Sequence, residues 1–214
     1  ARGAFDGAGA GRDKTPMLGS SPPDIFDHAA LRLRLARALK AGAADFLLVR
    51  AVEDLVERLS LVRRSFVSIL DLGTPGPHLT RALRAAAPQA EVTHVAPIEA
   101  ARAEAPSFAA DIEATAFEAG RYDLVVSALA LQHVDDLPGL LARARRALKP
   151  DGLLLIAMAG GRSLTELRAC LAQAEDEARG GASPRVAPFV DLRDLGALAQ
   201  RAGFALPVAD VETL

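Results

Sequence analysis

Between residues 66 and 159 the chain alternates short apolar runs with stretches of helical periodicity, and two of the runs, 123–129 and 153–159, are apolar at nearly every position. A strand half-exposed to water alternates apolar with polar residues. A parallel strand carries helices above and below, so both its faces are apolar. Five runs read as strands, at 66–70, 92–96, 107–110, 123–129 and 153–159, with helices predicted over 78–87, 98–105 and 137–148. Strand and helix in alternation give a parallel sheet with right-handed crossovers. The expected fold class is α/β: a Rossmann-like, doubly wound, mostly parallel sheet.

Two helices are expected before this core. One runs over 25–40 behind an Asp24 cap; the other runs over 46–59 behind Asp45, with Leu48, Val52, Leu55 and Leu59 on one face. After the core come a helix over 164–179 ended by Gly180 and Gly181, a polar loop at 182–188, a helix over 191–202 ended by Gly203, and a sixth strand at 206–211. Residues 1–23 are rich in Gly, Ser and Pro and read as a disordered leader or an appended remnant, with Met17 a candidate start. Residues 24–214 then make a single domain, with N-terminal helices at 24–60, the α/β core at 66–159, and substrate-side helices and the last strand at 160–214. A length of 214 residues suits one such domain and is short for two.

The net charge of −2, with acids and bases interleaved, leaves little room for a large basic patch, so no nucleic-acid partner is expected. The longest apolar runs fall far short of the roughly 20 residues of a membrane span, and no secretory signal is visible. A lone cysteine, Cys170, excludes an internal disulfide and sits in a helical pattern, which predicts a buried structural thiol.

In open α/β sheets, ligands bind outside the carboxyl ends of the strands, at the switch point beside the first strand. There the chain reads Ile69-Leu70-Asp71-Leu72-Gly73-Thr74-Pro75-Gly76-Pro77-His78. An acid closes the strand, and Gly73 lets a ligand approach the turn closely; an ordinary strand-to-helix turn reads the same way. The second strand ends in Pro97, where nucleotide-binding folds place a ribose-holding acid; Glu99 falls two residues late and reads as a solvated first-turn acid. Asp111 and Ile112 follow the third strand, suited to an adenine amino group and ring or to a plain loop. His133 and Asp136 follow the fourth strand, where a substrate would meet a ligand in the switch-point cleft. Leu148-Lys149-Pro150-Asp151-Gly152 is a tight turn feeding the fifth strand. The four histidines are scattered, so no metal set is expected.

Taken in order, the acid-Leu-Gly turn, Tyr122-Asp123-Leu124-Val125-Val126-Ser127 and Leu148-Lys149-Pro150-Asp151-Gly152 resemble class I S-adenosylmethionine-dependent methyltransferases. A narrower likeness is carried by Asp24-Ile25-Phe26-Asp27, Gly160-Gly161-Arg162-Ser163-Leu164-Thr165-Glu166-Leu167-Arg168, Gly180-Gly181-Ala182-Ser183-Pro184-Arg185-Val186-Ala187-Pro188-Phe189 and Gln200-Arg201-Ala202-Gly203-Phe204. This series, covering about 24–210, is similar to the methyltransferase-like complex I assembly factor (arginine hydroxylase) family of mitochondria and alphaproteobacteria. Malonyl-carrier-protein methyltransferases resemble it more distantly.

The resemblance implies S-adenosylmethionine as cofactor and assigns roles residue by residue. Asp71, Gly73, Thr74, Pro75 and Gly76 would hold the methionine end, Pro97 would stand at the ribose, Asp111 and Ile112 would meet the adenine, and Ser127 would lie beneath the sulfonium. His133 or Asp136 would act as base, and Arg185, Ser183 and Phe189 would contact the acceptor. That acceptor is a protein or a small molecule, with a complex I subunit as one candidate. The location implied is bacterial cytoplasm, free or peripheral to the inner membrane.

Departures from the family pattern carry expectations too. Pro75 and Pro77 stand where glycines are usual, Pro97 replaces the ribose acid, and Gln132-His133 stands where His-Trp is common. Proline removes a donor and fixes φ near −65°, which predicts weakened cofactor contacts. The sheet is also expected to lack its final antiparallel strand. The favoured function is a methyltransferase, or a related hydroxylase. The alternative is a non-enzymatic assembly factor that keeps the fold and has weakened or lost cofactor binding; a nicotinamide dehydrogenase ranks below both.

Overall fold

The strand at Tyr122–Ala128 is almost wholly buried, and the structure is built around it and its neighbour Ser68–Leu72. The structure is a computed structural model that describes residues 24–42, 44–102 and 106–213. In chain order the elements are α1 (His28–Ala41), α2 (Phe46–Ser60), β1 (Ser68–Leu72), α3 (His78–Ala86), β2 (Glu91–Ala96), a 3₁₀ turn (Glu99–Ala101), β3 (Ser107–Ala109), β4 (Tyr122–Ala128), a second 3₁₀ turn (Leu131–His133), α4 (Leu137–Ala147), β5 (Leu148–Ala157), α5 (Thr165–Arg179) and α6 (Leu192–Arg201). The sheet is parallel, in the order β3-β2-β1-β4-β5. The chain runs outward from β1 to β3 and then crosses back to β4, which puts the switch point between β1 and β4.

Strand side chains alternate between faces, and both faces are covered. Ile69, Leu124, Val126 and Ala128 pack with Leu48, Val52 and Leu55 of α2 and Leu79 and Leu83 of α3. Leu70, Leu72 and Val125 face the other way, against Leu137, Leu140, Leu141 and Ala144 of α4. The predicted α/β class and doubly wound parallel sheet are found.

Local differences have local causes. The first helix is capped by Asp27, whose carboxylate accepts from Ala30 N at 2.9 Å, rather than by Asp24. The helix expected over 98–105 shortens to a 3₁₀ turn among its described residues. The Lys149–Gly152 segment is not a separate turn but the start of β5, where the pairing register shifts between Tyr122 and Leu124 and Asp151 takes φ 60°. Asp123 anchors that irregularity: one oxygen accepts from Val67 N and Ser68 N, and the other accepts from Lys149 Nζ at 3.0 Å.

No sixth strand forms among the described residues: Leu206 and Val208 are each 92% exposed and pair with no edge of the sheet. Cys170 is exposed rather than buried, because α5 carries no buried residue at all. The expected leader, 1–23, lies outside the described residues.

Candidate functional site

The site is built on the carboxyl end of β1. Gly73 leaves the strand at φ +79° and Gly76 follows at φ +103°, so both left-handed positions of the turn fall on glycine. A Cβ on Gly73 would stand 3.2 Å from both Ala130 Cβ and Ile112 Cδ1. The prolines lie between and after these glycines, and Pro77 takes φ −89° as the N-cap of α3. The loss of cofactor contacts expected from Pro75 and Pro77 is therefore not borne out. The turn needs positive φ at 73 and 76, and the prolines occupy positions that do not require it.

Beneath this turn lies a buried polar network. Asp71 is fully buried; its Oδ2 accepts from Thr80 Oγ1 at 2.8 Å, while Oδ1 has no hydrogen-bond partner. Burial pushes its carboxyl up to about 6, against the opposing pull of His94, Thr74 and Thr80. Thr74 Oγ1 accepts from Ala128 N at 3.1 Å, and its carbonyl accepts from His94 Nε2 at 3.0 Å. Ser127 Oγ donates to Leu72 O at 2.7 Å. Thr74 and Ser127 thus stitch the β1 turn to β4 and β2; their hydroxyls turn into the protein, not toward a ligand.

Above the turn is a cleft of about 400 Å³. Its floor is Gly73 and Pro75, with Pro97 on the β2 side. Ala110, Asp111, Ile112 and Glu113 form the β3 side, and Leu129, Ala130, Gln132 and His133 the β4 side. Leu129 leaves β4 at φ 49°, a conformation a branched side chain rarely adopts, and this turns the chain into the cleft wall. The roof is α1, through His28, Leu31, Arg32, Arg34 and Leu35. The wall is mainly apolar with a few convergent charges, as expected for a small-molecule site. Another depression, of about 430 Å³, lies beside the amino-terminal ends of β2 and β4 near Glu91 and Tyr122, away from the switch point.

Of the residues singled out in the sequence, Gly73, Pro75, Pro97, Asp111, Ile112 and His133 line the cleft. Gly76 shapes the turn. Asp111 faces Arg32 at 3.5 Å. His133 packs edge-on against Phe26 at 5.5 Å, and burial, then the neighbouring His28, hold its imidazole below its usual value. Glu99 does not replace the missing ribose acid at Pro97, since it pairs with Arg102 on the surface.

Asp136 does not reach the cleft. It caps α4, accepting from Gly139 N at 2.9 Å. Ser183 and Arg185 are bound to Glu175 of α5 instead of lining the cleft: Glu175 accepts from Ser183 N, Ser183 Oγ and the Arg185 guanidinium, which hold its carboxyl down at about 2. Phe189 belongs to the same outer loop, with its backbone against Gly161.

The α1 roof has no counterpart among the residues picked from the sequence. His28 and Arg32 of α1 lie far in the chain from Glu113 and Asp135, and only the crossing of α1 over the strand ends unites them. The sequence signal of the α1 pair was limited to charge within an otherwise apolar helix pattern.

Comparison with known proteins agrees with this architecture. The methyltransferase domain family matches residues 44–207. The human arginine-hydroxylase NDUFAF5, mitochondrial, is 35% identical over 208 residues, covering 92% of this chain and 60% of that protein. The malonyl-(acyl-carrier protein) O-methyltransferase of Laribacter hongkongensis is 35% identical over 207 residues, covering 88% of this chain and 65% of that one. Among solved structures, phosphoethanolamine N-methyltransferase 2 of Haemonchus contortus, in complex with S-adenosyl-L-methionine, superposes with a TM-score of 0.54 at 22% identity over 72% of this chain and 36% of that one, a likeness of fold. The chain belongs to the class I S-adenosylmethionine-dependent methyltransferase family and is related to arginine-hydroxylase NDUFAF5. It spans about three-fifths of the length of the mammalian NDUFAF5 proteins it matches.

Proposed function

We propose that this protein is an S-adenosylmethionine-dependent methyltransferase acting on a protein or small-molecule acceptor, and that its work is linked to respiratory complex I assembly. The observation that carries the reading is the cleft over Gly73, where two positive-φ glycines open the β1 turn beneath a mainly apolar chamber. The methionine end of the cofactor lies over the turn at 73–76, its adenine against Ile112 with Asp111 as acceptor for the amino group. Methyl transfer needs chiefly an in-line approach at near-attack distance in a dry site, and an α1 roof over a mainly apolar wall shelters the cleft from water. His133, half-buried at the cleft's β4 wall, is the group placed to take a proton from the acceptor. Kinship with arginine-hydroxylase NDUFAF5 supports a protein acceptor and the complex I link; kinship with the malonyl-(acyl-carrier protein) enzyme supports an acyl carboxylate.

Calorimetric titration with S-adenosylmethionine and with its demethylated product tests this directly. Saturable one-to-one heat is expected, and none at millimolar ligand overturns it. A second reading, a non-enzymatic assembly factor, draws on one specific observation: no acid stands at Pro97 to hold a ribose. It requires that the parent bind nothing and that Pro97→Asp with Pro75→Gly restore binding.

A further inference from the structure

At the cleft's mouth, three side chains from three segments converge. His28, the first residue of α1, places Nε2 at 2.7 Å from Asp135 Oδ2 and 3.4 Å from Glu113 Oε2, and one donor atom from each lies within 4.8 Å of the others. All three are largely sheltered, with side-chain exposures of 30%, 18% and 16% for His28, Glu113 and Asp135. His28 and Glu113 also line the cleft.

Each carboxylate is oriented by its other oxygen. Asp135 Oδ1 accepts from Ile25 N at 2.8 Å and Phe26 N at 3.1 Å, and Glu113 Oε1 accepts from Asp136 N at 2.8 Å. Backbone donors thus fix one oxygen of each acid and present the other to the imidazole. Such outer contacts are how proteins aim metal ligands.

A hydrogen bond alone explains only half of this geometry. Nε2 carries at most one proton; given to Asp135 at 2.7 Å, it leaves Glu113 Oε2 facing the same nitrogen at a distance too long for a good bond. Even a protonated imidazole leaves two carboxylates with one positive charge between them. A divalent cation satisfies all three groups at once.

We propose that His28, Glu113 and Asp135 form a binding site for a divalent first-row transition metal ion, opening onto the cleft. One nitrogen and two carboxylate oxygens favour zinc, manganese, iron or cobalt over the all-oxygen preference of calcium and magnesium. Donors bound at about 2.0–2.2 Å stand roughly 3 Å apart; the Glu113 arm is close to that spacing, and the Asp135 arm has to open by a fraction of an ångström. Three protein ligands leave coordination positions free toward the cleft, the pattern of a reactive site rather than a closed structural one. The proposal does not depend on cofactor binding.

The test is titration of metal-free protein with Zn²⁺ by calorimetry and with Co²⁺ by visible absorption. One ion per chain is expected, with cobalt d–d bands that report nitrogen and oxygen ligation. Glu113→Gln keeps the acceptor for Asp136 N, and His28→Gln keeps a polar group at the start of α1; circular dichroism verifies that both fold. Each is expected to weaken binding at least about tenfold. His78→Ala, which removes the exposed His78–Asp45 pair, is expected to change nothing. Absence of stoichiometric binding overturns the proposal. So does binding that survives in both Glu113→Gln and His28→Gln, or that is lost in His78→Ala.

Discussion

Asp71 is a carboxyl group sealed from solvent, with one oxygen held by Thr80 and the other without a hydrogen bond. Its folded value of about 6 lies above the ordinary carboxyl range near 3.9. Between those values the folded state retains a proton that the unfolded chain has released, so stability falls as pH rises from about 4 through 6. Urea midpoints measured across that window are expected to drop with pH, and Asp71→Asn is expected to flatten the drop; an unchanged slope in the variant sinks this assignment. Gly73→Ala acts at the neighbouring position. The left-handed backbone costs about 1–2 kcal/mol for an alanine, and the added Cβ crowds Ile112 and Ala130 in the cleft floor. Lower thermal stability together with loss of S-adenosylmethionine heat is expected. The turn at Gly73 was legible in the sequence, because a glycine at the end of a first strand carries a backbone requirement. The buried roles of Asp71, Thr74 and Ser127, all expected at the cofactor, were not, since a polar side chain's direction depends on which backbone groups the strand register leaves unpaired. Ser127→Ala leaves Leu72 O without its buried donor, and is expected to cost about 1–3 kcal/mol of stability in chemical denaturation.

The strands were legible as elements because continuous apolar runs have few other uses in a chain of this length, and α2 and α4 were legible from their apolar stripes. What escaped was how elements lean on one another. The roof helix α1 contributes no buried residue, and polar links hold it: Asp135 to Ile25, Phe26 and His28, and Arg32 to Asp111. No periodicity could announce these partners, which lie 79 to 110 residues away in sequence. The family resemblance implied an acceptor contact for the Ser183–Phe189 loop, whereas Glu175 of α5 holds Ser183 and Arg185. That clasp has a definite pH sense. Glu175 is depressed to about 2, so its contribution is present above the ordinary glutamate value near 4.3 and is lost as pH falls toward 2. Glu175→Gln removes the charge-assisted bonds at neutral pH. Limited proteolysis is expected to nick the 182–188 loop faster in this variant than in the parent, while sites in the sheet remain protected; equal nicking rates contradict the clasp.

Across the whole molecule, burial is unevenly distributed, and the distribution follows the sheet order. β1 and β4 lie inside the sheet with both faces covered, but β5 is an edge strand whose residues from Leu153 to Ala157 are only partly buried. The segment after β5 adds little to the core. Neither α5 nor α6 contains a buried residue, although Leu195 and Leu198 of α6 lean on the α4 side. Leu164, Leu167, Val208 and Val211 stand open. The turn at 73–76 grows from an inner strand whose residues Ile69 to Leu72 are buried, which lets it hold its two left-handed residues without a flexible support. Local opening free energies span from near zero to the global value, and buried apolar contact sets where a segment falls in that range. Native-state hydrogen exchange is therefore expected to divide the chain. Amides of β1 and β4 exchange only through global unfolding, with full denaturant dependence, while those of α5 exchange through local opening with a much smaller dependence. Saturation with S-adenosylmethionine is expected to slow α1 and leave α5 unchanged, since the cleft proposed to hold the ligand is lined by α1 and not by α5. Uniform protection across α5 and β4 counts against this division of stability, and slowing of α5 with no change in α1 counts against placing the cofactor beneath the roof helix.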